Sequence, residues 1–225
     1  MFEEFIKESV PFSSYFVGTT TFLLAAFTSI ISVANPLAAM PVFVSLTEDN
    51  SDAERTRIAR KSSFYMFCVL TIFLLGGTYI MSFFGISLPG IRIAGGLIIM
   101  RAAVSMLNPE DPGRKLSEED RVAARDKADI SFSPMAMPML SGPGSIAVVI
   151  GLASQAKGFF DLFIVTVAIV LVALISYLIL RIAPISARYI GPSGMSAVTR
   201  MMGFIAMAIA VQFILNGISK YFGIG

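Results

Sequence analysis

Two short clusters carry most of the chemical reach of this chain. They are Asn35-Pro36 and Ser141-Gly142-Pro143-Gly144-Ser145, and each interrupts an apolar stretch. Asparagine is a good helix N-cap and proline a good first helical residue. Each cluster therefore predicts the start of a new half-helix after a break. Such a start offers free N–H groups and a partial positive charge, which suit a carboxylate. The half-helix before it ends in free carbonyls, which suit an ammonium group or Na⁺. A small zwitterion carries both charges a few ångströms apart, so an uncharged cradle could hold it. Gly142 and Gly144 let backbone approach a ligand with no Cβ in the way, and Ser32, beside Thr28 and Ser29, adds a hydroxyl. The candidate solute-binding residues are Ser32, Asn35, Pro36, Ser141, Gly142, Pro143, Gly144 and Ser145. Small neighbours (Ala34, Ala38, Ala39, Ala147) point to a narrow pocket.

Other chemistries are excluded by composition. The chain has no histidine and a single cysteine, Cys68, so an imidazole catalyst, an internal disulfide and a Cys-rich zinc site are ruled out. No Asp or Glu falls inside an apolar run, and Asp161 sits at the end of one. That argues against a carboxylate proton relay, a transition-metal path and a catalytic carboxylate pair. No enzyme activity, cofactor or metal site is expected; coupling to Na⁺ or H⁺ stays open. The net charge is only +2, with the basic residues in loops, so nucleic acid is not an expected partner.

The elements that must position the clusters are membrane helices. Hydrophobic residues make up 56% of the 225 positions and charged ones 14%, against about 45–50% and 25% in soluble domains. Mean hydropathy is +0.79. Six apolar runs stand out: Phe16–Leu46, Phe64–Phe84, Ile91–Leu107, Ile130–Ala153, Leu162–Ile182 and Met201–Ile218. Each intact run is near the length a helix needs to cross a bilayer, and helices satisfy every backbone amide within one segment. As one helix the first run would reach about 46 Å at 1.5 Å per residue, well over a hydrocarbon core of about 30 Å. It is better read as two pieces.

The loops after the first, third and fifth runs hold 12 Lys and Arg, and the opposite side holds 3 (Lys7, Lys157, Lys220). That asymmetry places the basic loops in the cytoplasm and both termini outside. The acidic start, Met1-Phe-Glu-Glu, does not read as a cleavable signal. Ser51 with Glu54, and Ser117 with Asp120, read as helix starts with a capping pair.

The halves resemble each other. Aligning Pro36 with Pro143 matches breaker, small residues and apolar run. Arg92-Ile-Ala-Gly95 matches Arg200-Met-Met-Gly203, and that register brings Leu107-Asn108 onto Leu215-Asn216. Three spans is an odd number, so the second half enters from the opposite side. The expected fold is an all-α integral membrane protein of six transmembrane helices. They form two inverted three-helix repeats, with helices 1 and 4 broken near the midplane, an arrangement typical of secondary transporters. The repeats would be residues 1–108 and 130–225, joined by a cytoplasmic linker, 109–129. Arg92 and Arg200 would fall at opposite faces as gate or anchor residues. Gly95, Gly96, Gly203 and Gly217 belong to small-residue stripes that read as packing surfaces.

Asn35-Pro-Leu-Ala-Ala-Met-Pro, Gly85-Ile-Ser-Leu-Pro, Arg92-Ile-Ala-Gly-Gly and Pro138-Met-Leu-Ser-Gly-Pro-Gly-Ser resemble, in this order, the MarC family (UPF0056-type) of bacterial and archaeal membrane proteins. The resemblance spans almost the whole chain. It implies a multi-pass protein of the plasma (inner) membrane. It also implies, as the best functional expectation, transport of small neutral amino acids of the glycine and alanine class. The alternatives are transport of another small solute, or an accessory membrane protein without transport of its own. The expected partners are a small zwitterionic solute and the bilayer; oligomeric state is not readable.

Overall fold

The computed structural model describes residues 2–108 and 130–224, and these residues are helical with short connections. In chain order the elements are α1 (Phe2–Ala34), α2 (Pro36–Leu46), α3 (Asp52–Phe84), α4 (Leu88–Leu107), α5 (Ser131–Leu140), α6 (Pro143–Ala153), α7 (Phe159–Gly191) and α8 (Ser193–Phe222). Five segments are long and apolar enough to cross a membrane. They are Gly18–Leu46 (α1 with α2), α3, α4, α7 and α8. The bent pair α5–α6, which turns by 60°, makes a sixth if counted as one span. The linker 109–129, and with it Ser117 and Asp120, lies outside the described residues.

Helix faces sort by neighbour. On α3, Ala59, Met66, Leu70, Leu74 and Gly77 are buried, while Phe64, Ile72, Leu75, Tyr79 and Phe83 are exposed. Exposed apolar stripes of this size mark a surface meant for lipid rather than water. The buried faces of α1, α2, α3, α5, α6 and α7 share one core around Ile30, Phe43, Met66, Leu140 and Ile169.

Each helix end has a local cause. Ser51 caps α3: its hydroxyl accepts from the Glu54 amide, and the Glu54 carboxylate accepts from the Ser51 amide, the expected capping box. The segment 183–200, read from the sequence as a loop with Arg188 and Arg200, is instead helical apart from one break. That break is Gly191-Pro192, where Gly191 takes φ 70°, a conformation that costs glycine little. A single left-handed residue thus does the work of a loop.

α4 and α8 pack antiparallel through glycines. A Cβ on Gly96 would lie 2.9 Å from the Ala210 carbonyl oxygen and 3.3 Å from the Ile214 nitrogen. One on Gly203 would lie 3.3 Å from both the Ala103 oxygen and the Leu107 nitrogen. Gly217 meets Pro89 and Ile93 in the same way. As numbers rise along α8 they fall along α4, so the two helices run in opposite directions.

Candidate functional site

The break after α1 is made by one residue. Asn35 stands at φ 42°, ψ 62°, a left-handed conformation that asparagine tolerates better than most side chains. Its Oδ1 accepts from the Ala38 amide at 3.3 Å, and Pro36 opens α2. The cap is the one read from the sequence. Among the described residues the Asn35 carboxamide nitrogen donates to nothing.

The break between α5 and α6 is built differently. Pro134 and Pro138 deprive α5 of amide donors, and its backbone is extended at Ser133 and Met137. The turns that remain are wide: the Met135 amide donates to the Ile130 carbonyl, and the Ser141 amide to the Ala136 carbonyl at 2.8 Å. The Ser141 hydroxyl donates to the same Ala136 oxygen at 2.8 Å, and the Ser145 hydroxyl to the Leu140 oxygen at 3.2 Å. These bonds close the polar groups that the break releases. No side chain caps the start of α6. A helix start of this kind turns its first-turn amides, here those of Gly144 and Ser145, toward the space in front of it.

Both breaks face one cavity of about 390 Å³. Asn35, Ala38 and Val42 line one side of it; Pro138, Gly142, Pro143, Gly144 and Ser145 line another. α4 adds Ile98, Ile99, Ala102 and Ser105, and α8 adds Thr199 and Ala206. No lining residue is ionisable. Polarity comes from one carboxamide, three hydroxyls and the α6 N-terminus. The glycines are fixed by space: a Cβ on Gly142 would run into the Pro138 carbonyl oxygen, and one on Gly144 would sit 2.6 Å from Ile99 Cγ1 and 3.0 Å from Val33 Cγ1.

Of the residues singled out from the sequence, Asn35, Gly142, Pro143, Gly144 and Ser145 line this cavity. Ser141 and Pro36 are buried behind it, and Ser32 is half-buried outside its lining. The α4 wall and Thr199 were missed. Apolar and small residues at helical spacing look alike whether they face lipid, a packed helix or a cavity.

Two further cavities flank the first. One, about 640 Å³, lies at the C-terminal end of α2, lined there by Pro41, Val44, Ser45 and Glu48, and across from it by Thr199 of α8 and Arg188 of α7. Arg55 of α3 closes its rim, donating to the Thr47 and Glu48 carbonyls, each at 2.8 Å, and so pinning the turn that follows α2. The other, about 160 Å³, lies at the C-terminal end of α6, lined by Val148, Gly151, Leu152 and Gln155, with Arg92 of α4 and Asn216 of α8. Val148, Gly151, Leu152 and Gln155 each follow a residue lining the α2-end cavity by 107 positions, and Thr199 follows Arg92 by the same interval. Gly96 and Gly203, with their near-identical contacts, are also 107 apart. The spacing of 108 that aligns Arg92 with Arg200 is thus one residue out of step with the contacts. Arg200 is exposed and lines none of the three cavities.

The comparisons agree with this membrane architecture. No solved structure matches the chain. It is 40% identical over 197 residues to the UPF0056 membrane protein MJ1677 of Methanocaldococcus jannaschii, covering 88% of this chain and 96% of that one. To the UPF0056 inner membrane protein MarC of Salmonella arizonae it is 37% identical over 200 residues, 84% and 90% of the two chains. To the UPF0056 membrane protein YvbG of Bacillus subtilis it is 32% identical over 203 residues, 90% and 96%. The pattern described as "MarC family integral membrane protein" matches residues 20–222, nearly the whole chain, and this protein therefore belongs to the MarC family.

Proposed function

We propose that the chain is a secondary transporter of small neutral amino acids, of the glycine and alanine class, working by alternating access around the central cavity. The observation that carries this reading is that both chain breaks open onto one uncharged cavity. Its volume is within the range of about 300–1,000 Å³ usual for small-molecule sites. An α-carboxylate is suited by the open amides of Gly144 and Ser145 and the positive end of α6. The Asn35 carboxamide supplies one more donor. The ammonium group is suited by carbonyls at the end of α1 and by the Ser105 and Thr199 hydroxyls. Apolar walls from Ile99, Ala102 and Ala206 suit a short aliphatic side chain.

We read the two halves as an inverted repeat, which suits alternating access. α4 and α8, the third spans of the two halves, run antiparallel, as a two-fold axis in the membrane plane requires. The register of 107 relates Asn35 to Gly142, Ala38 to Ser145 and Ile99 to Ala206, all in the lining of the central cavity. It also relates the flanking cavities to each other. We take the face bearing the α2–α3 turn as cytoplasmic, from the basic residues beside it. With no ionisable group in the cavity lining, coupling would fall to Na⁺ held by carbonyls and hydroxyls, or to none.

The test is uptake of radiolabelled glycine and alanine by liposomes holding the purified protein, with Na⁺, H⁺ or no gradient. Saturable uptake that bulky amino acids do not inhibit is expected. Absence of uptake under every gradient would reject the amino-acid reading.

A further inference from the structure

We infer that Thr199 is the constriction through which solute passes between the central cavity and the cavity at the α2 end, and that in this structure the α2 end is the more thinly closed side. The inference rests on the transport reading above. Thr199 is the one residue that lines both cavities. It is 1% exposed, so it fills the gap between them rather than standing at a rim. Its hydroxyl donates to the Met195 carbonyl at 2.8 Å, which holds a β-branched side chain in one orientation. Across from it, neighbouring residues of α2 divide between the cavities: Pro41 lines the α2-end cavity and Val42 the central one. The partition is thus one helix thick on the α2 side and one threonine thick on the α8 side.

The opposite route is shut. The cavity at the α6 end shares no lining residue with the central cavity. Between them α4 and α6 are in close contact, Gly95 against Ala147 and Ile99 against Gly144. At the position 107 residues before Thr199 stands Arg92, which lines only the α6-end cavity. A neutral hydroxyl at this constriction lets a net-neutral solute pass without meeting a fixed charge when the side chain moves aside.

The test uses the full chain with Cys68→Ser, so that Thr199→Cys supplies its only thiol. Reconstituted protein is treated with a membrane-impermeant methanethiosulfonate from either face. Asp49→Cys and Lys157→Cys serve as reporters of the α2–α3 and α6–α7 faces. Thr199→Cys is expected to react from the Asp49 face several-fold faster than from the Lys157 face. In parallel, Thr199→Trp should lower alanine uptake by about tenfold or more, while Thr199→Ser, which keeps the hydroxyl, should transport normally. Failure of Thr199→Cys to react from either face, or faster reaction from the Lys157 face, would overturn the assignment. So would full-rate uptake by Thr199→Trp. Should the parent protein take up no amino acid, the substrate reading falls and the labelling still decides the route.

Discussion

The two half-helices that begin at the breaks, α2 and α6, sit differently against their partners. α6 lies tight on α4: Gly95 faces Ala147 with room for no added carbon, and Gly144 fits under Ile99. In the register of 107, Gly95, Ala147, Gly144 and Ile99 correspond to Met202, Met40, Leu37 and Ala206. Large side chains stand where the α4–α6 seam has glycine and alanine. The α6-end cavity is about 160 Å³ and the α2-end cavity about 640 Å³. Small residues let membrane helices approach closely, and bulky ones hold them apart. The two ends of the molecule thus differ in how closely their helices approach and in the size of the cavity each encloses.

The comparison breaks most severely at Gly144. Replacing it with leucine puts a branched chain where even a Cβ lies 2.6 Å from Ile99. The expected cost is about 3 kcal/mol, the upper end for overpacking. The thermal midpoint of the detergent-solubilised protein should fall, and solute binding should be lost with it. An unchanged midpoint would mean that the α4–α6 seam is looser than described.

Asn35 offers the next largest effect. Asn35→Ala removes a cap and forces alanine into the left-handed region, together costing about 2–3 kcal/mol. Asn35→Gly accepts that backbone and should cost only a few tenths of a kcal/mol. Both remove the carboxamide from the cavity. Thermal unfolding should separate the two variants, while transport should fail in both.

Gly96 and Gly203 sharpen the claim that the halves share one register. An alanine at either costs about 1–3 kcal/mol by overpacking. The two losses should be similar, because each added Cβ meets a fixed neighbour closely: the Ala210 oxygen at 2.9 Å for Gly96 and Met106 Cβ at 2.8 Å for Gly203. A loss at one position and none at the other, in denaturant titrations of the two variants, would count against that register. Ser51→Ala should have the smallest effect, about 1 kcal/mol from the lost cap. It lies away from all three cavities, so uptake per folded molecule should not change.

Much of this was legible in the sequence, for physical reasons. Apolar runs near 20 residues mark spans because lipid admits little else. Asn35-Pro36 and Gly142-Pro143-Gly144 mark breaks because proline lacks an amide hydrogen and glycine a Cβ. The cavity walls were not legible. Ile99 and Ala102 have the same chemistry as lipid-facing or packed residues, and only the fold turns them inward. Thr199 was hidden beside Arg200, whose charge draws attention though its side chain is exposed. The helical course of residues 183–200 was hidden as well, since arginines near a membrane face read as loop until Gly191-Pro192 is seen to make the turn alone. The wide turns of α5 depend on bonds to Ala136 and Ile130 that residue spacing does not reveal.

The most direct test of the central claim, that the two breaks form one solute site, is equilibrium binding of radiolabelled alanine to the parent protein and to Asn35→Gly. Saturable binding by the parent is expected, with at least severalfold weaker binding by Asn35→Gly at nearly unchanged thermal stability. Equal binding by the two proteins would contradict that claim.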